Sequence, residues 1–292
     1  MIALHDPPYV PGLDRPEPRL PGTGPLAVAD WLDMPRADTP AQFAERDRLI
    51  AGRRDEVIAC LPEGEATAAE LVAMLKAHLA GLAEWEPAVD GIRRPDGAAV
   101  ALDRTDPLGT VGRLIQEDMC LLAREGDGEY RLVAAVLCFP AHWRLSEKLG
   151  RPMTAIHDPV PDYDAGVARR VNRLFEAIRP GTLLTRHNWS LQGHPELFAP
   201  SGEAARKAGR RPGAEHVLRT ERQTLRRLPE TGAVAFGIRT ALTPVSALSP
   251  EAARALDAAV AAKTDAMAVY KGGRAYLDAA RAALAAVAEP AP

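Results

Sequence analysis

The chain has little cysteine, few aromatic residues and little net charge, and each shortage excludes a class of protein. Its three cysteines, scattered along 292 residues, cannot supply a disulfide framework, a four-cysteine zinc site or a four-cysteine iron–sulfur cluster. With 36 Lys and Arg against 39 Asp and Glu, the net charge is −3, which argues against a protein that coats nucleic acid. Aromatic residues make up only 5%, so the core must be built mainly from Leu, Val and Ala.

Long apolar runs are also lacking. No uninterrupted apolar segment approaches the roughly 20 residues that a membrane span needs, and the N-terminus lacks the basic and apolar regions of a signal peptide. Together with the sparse cysteines, these absences predict a soluble cytoplasmic protein that does not bind a membrane.

Proline is concentrated at the beginning of the chain, with seven prolines in residues 1–25. This density excludes a helix or a central strand and predicts an extended arm, which is either flexible or laid across the body. Helical spacing then predicts helices over residues 39–54 and 67–85, the second behind a Thr67 cap. His78 lies in the apolar stripe of that second helix, where a histidine of the core or its boundary is favoured over a ligand.

Strand-like alternation replaces the helical spacing in the middle of the chain. Apolar runs on both sides of residues 126–128 predict a β-hairpin, because the Asp-Gly step there readily turns the chain. Beyond this hairpin the pattern predicts two helices and three strands: helices over 143–148 and 163–178, and strands over 182–191, 217–228 and 233–240. The last two strands should pair as a second hairpin.

The C-terminal part, after Pro250, is rich in alanine and predicts two helices separated at Gly272-Gly273. Strands in the middle with helices at both ends predict an α+β architecture around an antiparallel sheet. We therefore divide the chain into an arm of residues 1–25, a central domain of residues 26–248 and C-terminal helices in residues 249–292.

His157 is the best placed of the seven histidines to hold a ligand. Pro159 and Pro161 fix their own φ angles and restrict the residues before them, so the backbone just after His157 is stiff. An imidazole that binds a metal through one nitrogen usually donates from the other to a carboxylate or carbonyl, and Asp158 is one available partner. A purely structural His157, which caps the following helix or turn, explains the spacing equally well.

The strand around His187 has two chemically different faces. Alternation places His187 and Trp189 on one face and Arg186 and Asn188 on the other. His187 and Trp189 either line an apolar pocket or belong to the core. Tyr163, which begins a predicted helix, is either a hydrophobic staple or a hydroxyl in a pocket.

The next strand carries charge on both faces. Arg219, Glu221 and Arg227 fall on one face, and Arg222 and Arg226 fall on the other. From residue 206 to residue 227 there are eight Lys and Arg against two Glu, a surplus that can attract a carboxylate or phosphate. Nucleic-acid binding is not predicted, because the aromatic residues that would stack on bases are missing here.

Adjacent carboxyl groups at Glu117 and Asp118 are the other acidic candidates. Neighbouring residues of a strand or helix point in different directions, so the pair is poorly arranged for joint acid–base catalysis. A role at a helix end or in solvent is the better interpretation.

Several longer motifs together resemble a known family. In order they are Glu117-Asp118-Met119-Cys120-Leu121-Leu122, Phe139-Pro140-x-x-Trp143, Glu147-Lys148-Leu149-Gly150, Ile156-His157-x-Pro159-Val160-Pro161-x-Tyr163, Arg186-x-Asn188-Trp189 and Leu218-Arg219-x-Glu221-Arg222-Gln223-Thr224-Leu225-Arg226-Arg227-Leu228-Pro229. They resemble the DUF3445 family of haem-dependent oxidative N-demethylases, whose members include the haem subunit of dimethylamine monooxygenase. The resemblance extends over residues 31–240.

This resemblance implies a PAS-like antiparallel sheet that holds haem b in a pocket and removes a methyl group from a small secondary amine with O2. It makes His157 the axial metal ligand. Arg186, Arg222 and Arg226 become candidates for contacts with the haem propionates or the pocket. His187, Trp189 and Tyr163 are the candidate catalytic residues around the substrate.

Turnover of such a site consumes electrons, which this chain has no means to store. The resemblance therefore implies a separate reductase that carries a flavin and an iron–sulfur centre, and an oligomer is possible. A pocket carboxylate at Glu117, Asp118 or Asp158 could hold an ammonium substrate. Two alternatives stay open: a haem-based sensor or carrier without catalysis, and a haem-free binding protein in which His157 is structural.

Overall fold

A computed structural model describes residues 4, 6–14, 22–124, 128–161, 163–202 and 215–289. Its strands are β1 (Gly24–Leu26), β2 (Ile58–Cys60), β3 (Glu86–Ala88), β4 (Gly91–Arg93), β5 (Ala99–Ala101), β6 (Asp118–Ala123), β7 (Arg131–Val136), β8 (Leu183–Gln192), β9 (Val217–Arg227) and β10 (Val234–Pro244). Seven of them form one antiparallel sheet in the order β1-β8-β9-β10-β6-β7-β2, and β3, β4 and β5 form a small separate sheet. The predicted α+β architecture with an antiparallel sheet is confirmed.

Helices cover both faces of the large sheet. They are α1 (Thr39–Gly52), α2 (Arg54–Val57), α3 (Glu65–Leu79), α4 (Pro107–Leu114), α5 (Met153–His157), α6 (Ala165–Ala177), α7 (Pro250–Ala261), α8 (Asp265–Tyr270) and α9 (Arg274–Ala288). One apolar cluster joins α1, α3 and α4 to one face of the sheet, and a second joins α5 and α6 to the other face. A third cluster packs the C-terminal helices against the end of β8 and β9.

The long hairpin of β9 and β10 forms the centre of the sheet. Its strands pair without interruption from Val217 opposite Pro244 to Arg227 opposite Val234. Gly232 takes a φ of 71° in the connecting turn, a backbone conformation that glycine adopts without strain. The predicted pairing is therefore confirmed. The first hairpin, β6 with β7, is confirmed as well, although residues 126 and 127 of its predicted turn lie outside the described residues.

Local sequence signals explain where helix α6 begins and which of its faces packs against the sheet. Asp164 precedes the helix, and its carboxylate accepts a hydrogen bond from the Val167 backbone N–H at 2.7 Å. This N–H lies in the first turn of the helix, where it has no carbonyl partner within the helix. Val167, Val171 and Phe175 follow at helical spacing and are buried against the sheet. The prediction of a helix here is confirmed, with slightly shorter bounds.

Two local predictions were wrong. Thr67 does not cap α3, because the helix starts earlier and the Thr67 hydroxyl donates to the carbonyl of Gly64 inside the first turn. The C-terminal part forms three helices rather than two, because Thr264 caps a further short helix by accepting from the Met267 backbone N–H.

The described part of the proline-rich arm lies on the body of the protein. The Leu4 backbone N–H donates to the carbonyl of Leu242 at 2.8 Å, and Tyr9 and Val10 are buried in the cluster that contains the C-terminal helices. Of the two alternatives for the arm, contact with the body holds for these residues. The division of the chain into three parts stays a prediction.

Strand β8 lies near one edge of the sheet. Strand β1 pairs only with its first three residues, Leu183 to Thr185. Further along, side chains of the C-terminal helices take the place of a strand: Lys271 Nζ donates to the Trp189 carbonyl at 2.9 Å, and the Tyr276 hydroxyl donates to the Leu191 carbonyl at 3.1 Å. Across the described residues, no helix combines the length and apolar character needed to cross a bilayer.

Candidate active site in a cavity on one face of the sheet

A cavity of about 560 Å³ lies between the sheet and the helices α5 and α6. This volume falls within the roughly 300–1,000 Å³ that is usual for sites that bind small molecules and cofactors. Its apolar wall contains Cys120, Leu122, Leu132, Leu137, Phe139, Met153, Ile156, Val160, Val167, Val171, Leu174, Phe175, Leu225, Phe236 and Ile238. Its polar groups come mainly from α5, β8 and β9.

Strand β8 contributes side chains from both of its faces to the cavity. Arg186 and Asn188 lie opposite Gln223 and Glu221 of β9, and these four residues form one continuous polar surface on the side of α5 and α6. His187 and Trp189 alternate with them and line the part of the cavity next to the C-terminal helices. The cavity therefore reaches around the part of β8 that β1 does not cover.

His157 is the last residue of α5 and faces this cavity. Its Nδ1 donates to the Met153 carbonyl at 2.9 Å, one helical turn back, so the sequence candidate Asp158, which is exposed, is not its partner. Among the described residues, Nε2 makes no hydrogen bond. Burial lowers the pKa of His157, and the nearby charges of Arg186 and Lys148 lower it further against the opposing effect of the Met153 carbonyl. The imidazole is therefore neutral, oriented and available through Nε2.

Tyr163 packs its ring on this imidazole. The two ring centroids are 4.5 Å apart with an angle of 14° between the planes, which is a stacked arrangement. The Tyr163 hydroxyl is buried without a hydrogen-bond partner among the described residues, and burial raises its pKa to about 12. Of the two sequence interpretations, the structure places Tyr163 in the pocket wall.

Arg186 brings a positive charge into the same wall. Burial lowers the pKa of Arg186, and Glu221 provides only a partial counter-charge. Its Nε is buried and has no acceptor among the described residues. A buried guanidinium without a full set of acceptors is unfavourable, so this position favours a ligand that carries a carboxylate or a similar anion.

Glu221 is the acidic residue of the cavity. Its carboxylate accepts from Arg219 Nε at 3.2 Å, from Asn188 Nδ2 at 3.1 Å and from Gln223 Nε2 at 2.9 Å. Burial alone would raise the pKa of Glu221, but Arg219 and the two amides together outweigh it and hold the pKa below its ordinary value. Alternation along the strand predicted a charged position for Glu221 but no role in a site. The pairing of β8 with β9, which a single sequence does not reveal, places Glu221 opposite Asn188 in the site.

The other sequence candidates for a pocket carboxylate have structural roles or lie outside. Asp118 is completely buried, binds Arg46 NH1 at 2.7 Å and accepts from two backbone N–H groups. Glu117 is also buried and accepts from the Asp33 backbone N–H at 2.9 Å. The expectation that these two acids lie at a helix end or in solvent was wrong, because both belong to the interior that supports β6. Neither lines the cavity, nor does Asp158.

His187 and Trp189 are held by contacts of their own. The ring of His187 stacks on Tyr9 of the arm at 4.8 Å between centroids. Lys263 Nζ lies 4.5 Å from the centroid of the Trp189 ring, a cation–π contact that comes from the chain after α7. Both residues thus line the end of the cavity that the arm and the C-terminal helices close.

Arg222 and Arg226 lie on the opposite face of β9, away from the cavity. Arg222 donates to the backbone carbonyls of Asp30 and Trp31. The guanidinium of Arg226 stacks over the Trp31 ring at 4.2 Å. The structure brings His157, Tyr163, Arg186, His187 and Trp189 together around one space, and it places these two arginines behind the sheet.

Comparison with known protein families identifies the family of this chain. Residues 22–281 match the family model described as haem-dependent oxidative N-demethylase, alpha subunit-like. The chain belongs to this family. The matched range contains the whole large sheet, since β1 begins at Gly24 and β10 ends at Pro244. It also contains every residue of the cavity apart from Tyr9.

The family name implies haem, and the residues of the cavity fit that group. A haem held by histidine needs a neutral imidazole with a free nitrogen, an apolar space for the porphyrin and polar or cationic partners for its carboxylates. His157 Nε2, the apolar wall and Arg186, whose Nε has no acceptor in the described part of the chain, provide these three features in one cavity.

Proposed function

We propose that this protein is the haem subunit of a monooxygenase that removes a methyl group from a small secondary amine such as dimethylamine, with O2 as co-substrate. Within the family it would be a member of DUF3445 related to the subunit of dimethylamine monooxygenase. The observation that carries the proposal is the neutral imidazole of His157, which Met153 fixes through Nδ1 and which presents Nε2 to a large cavity. The products would be formaldehyde and the demethylated amine.

The proposed fold is PAS-like. Its support is the order of the five longest paired strands, β8-β9-β10-β6-β7, in which the first and the last strand along the chain are neighbours in the middle. Helices α5 and α6 cover one face of this five-stranded unit, and the cavity lies beneath them. This is the face on which a PAS-like domain would hold its cofactor.

Bound haem b would supply an iron centre that activates O2 for insertion into a carbon–hydrogen bond. His157 would hold the haem iron through Nε2, and Tyr163 would fix the plane of the imidazole through ring stacking. Arg186 would pair with a propionate. His187 and Trp189, the other two candidate catalytic residues, would close the end of the cavity next to the arm and the C-terminal helices.

A separate reductase would supply the electrons. The three cysteines of this chain cannot hold an iron–sulfur cluster, and two of them, Cys120 and Cys138, are buried with raised pKa values. Flavin and iron–sulfur centres would therefore lie on the partner.

Absorption spectroscopy tests the role of His157 directly. Wild-type protein loaded with haem should show a Soret band, and His157→Gln should lose or shift this band strongly. His78→Gln is the matched control, since His78 lies on the other side of the sheet against Trp31 and should leave the band unchanged. An unchanged band in His157→Gln would remove the axial ligand from the proposal.

Turnover provides the second test. Haem-loaded protein, a surrogate reductase and dimethylamine should yield formaldehyde in proportion to the O2 consumed. Ordinary gas binding without formaldehyde from any of several methylamines would contradict the enzymatic function and point to a sensor or carrier.

A further inference from the structure

Two amide side chains flank Glu221 on the cavity face of the sheet. Asn188 lies directly opposite Glu221 in the pairing of β8 with β9, and Gln223 follows two residues later on the same face of β9. Asn188 Nδ2 and Gln223 Nε2 both donate to the same oxygen, Oε2 of Glu221, at 3.1 and 2.9 Å. All three residues line the cavity.

Arg219 holds the carboxylate of Glu221 from the other side. Arg219 Nε donates to Oε1 of Glu221 at 3.2 Å. Further donors of Arg219 bind the carbonyls of Leu197 and Phe139 and the hydroxyl of Thr240. Four of its five N–H groups are thus engaged within the described residues, which holds the guanidinium in place, and Glu221 is fixed as an ionised acceptor.

An ionised carboxylate can only accept hydrogen bonds, and this fixes how the two amides are turned. Each must direct its NH2 group to Glu221, so its oxygen is the atom left for another donor. Among the described residues, neither Asn188 Oδ1 nor Gln223 Oε1 accepts a hydrogen bond. The wall of the cavity thus offers two adjacent acceptors.

Positive groups outnumber negative groups in the lining of the cavity. Arg186, Lys148, Lys263 and Lys271 line it, whereas Glu221 is the acidic residue of the lining among the described residues and is paired with Arg219. The lining therefore has no surplus of negative charge that would attract an ammonium ion. Recognition of an amine at this place depends on hydrogen bonding to the amide oxygens.

We propose that the oxygens of Asn188 and Gln223, oriented by Glu221, bind the N–H groups of a small secondary amine and exclude fully methylated nitrogen. For the nature of the substrate, this inference rests on the proposed function. A protonated secondary amine has two N–H donors, which match the two acceptors, whereas a protonated tertiary amine has one and a quaternary ammonium has none. A site that is built to form hydrogen bonds discriminates strongly against an analogue that lacks the donor.

Isothermal titration calorimetry tests the proposal on haem-loaded protein without a reductant, so that no turnover occurs. The probes are dimethylamine, trimethylamine and tetramethylammonium. Wild-type protein should bind them in that order of decreasing affinity. Asn188→Leu and Gln223→Met keep similar volumes and remove the oxygens, and each should weaken the binding of dimethylamine roughly tenfold while tetramethylammonium changes less than about twofold.

Ser190→Ala is the matched control, because Ser190 lies on the same face of β8 and lines the same cavity outside this pair of acceptors. It should leave all three affinities unchanged. Glu221→Gln frees the amides to turn, so it should reduce the preference for dimethylamine over tetramethylammonium, a ratio that a merely structural loss would leave constant.

The proposal is overturned if the two amide variants bind dimethylamine as well as wild type does, or if tetramethylammonium binds wild type as tightly as dimethylamine. Binding that depends on the amides in a protein that forms no formaldehyde would leave this site standing and remove the demethylase function. Formaldehyde production that neither amide substitution changes would support the demethylase function and overturn the proposed amine site.

Discussion

Substitution of Asp118 by asparagine is the sharpest test of the interior that supports the cavity. Asp118 is completely buried, and its carboxylate binds Arg46 NH1 and the backbone N–H groups of Cys138 and Phe139 at 2.7 to 2.9 Å. Asparagine would leave the fully buried Arg46 guanidinium without its counter-charge. Removal of one partner from such a pair costs about 3–5 kcal/mol, a large fraction of the ~5–15 kcal/mol that stabilises a typical protein.

The corresponding change in melting temperature follows from the size of the chain. An unfolding entropy of about 2.1 cal/mol/K per residue gives roughly 0.6 kcal/mol/K for 292 residues, so Asp118→Asn should lower Tm by about 5–8 °C. Differential scanning calorimetry of the haem-free protein measures this directly. Phe139 lines the cavity, so haem binding should weaken as well.

Glu117→Gln is the control, since it makes the same change one residue earlier. Glu117 accepts one backbone hydrogen bond, and burial raises its pKa, so a neutral amide replaces it at a cost near 1 kcal/mol. The double variant Arg46→Met, Asp118→Leu should recover part of the loss because no unpaired charge remains. A Tm loss in Asp118→Asn no larger than that in Glu117→Gln would refute the reasoning.

Three further predictions concern the cavity. Tyr163→Phe should retain haem as wild type does, whereas Tyr163→Leu should release it several-fold faster in transfer to apomyoglobin, because only the leucine removes the ring that stacks on His157. Arg186→Met should raise the Tm of the haem-free protein, since it removes a buried and under-partnered charge, and it should also weaken haem binding; a fall in both would contradict the assigned role. The folded-state pKa of His157 lies below its ordinary value near 6.5, so the unfolded chain binds the proton more readily and stability should fall as the pH drops below about 6.5. An NMR titration that places the imidazole of His157 above 6.5 would be the opposite result.

The regular elements were predictable because local signals define them. Asp164, the apolar spacing of α6 and the turn before β10 each specify an end or a face within a few residues. The three-residue strands β1 to β5 could not be found in this way. Strands so short depend on the partner they pair with, and no pattern of their own distinguishes them from a loop.

The site was predictable to a similar extent. The stiff backbone after His157 drew attention to a residue that lines the cavity, and alternation correctly separated Arg222 and Arg226 from Glu221. Alternation could not tell which face meets the cavity, because that depends on where α5 and α6 pack. The partner of His157 also escaped prediction, since a backbone carbonyl such as that of Met153 leaves no mark in a sequence.

The contacts between the C-terminal helices and the edge of β8 have a consequence for the solubility of shortened chains. An uncovered edge strand offers its backbone as a template to which strands of other molecules can add. Lys271 and Tyr276 donate hydrogen bonds to the carbonyls of Trp189 and Leu191, which an added strand would otherwise use. A chain truncated before Lys271 should therefore polymerise through this edge of β8, even if the rest of the sheet still folds.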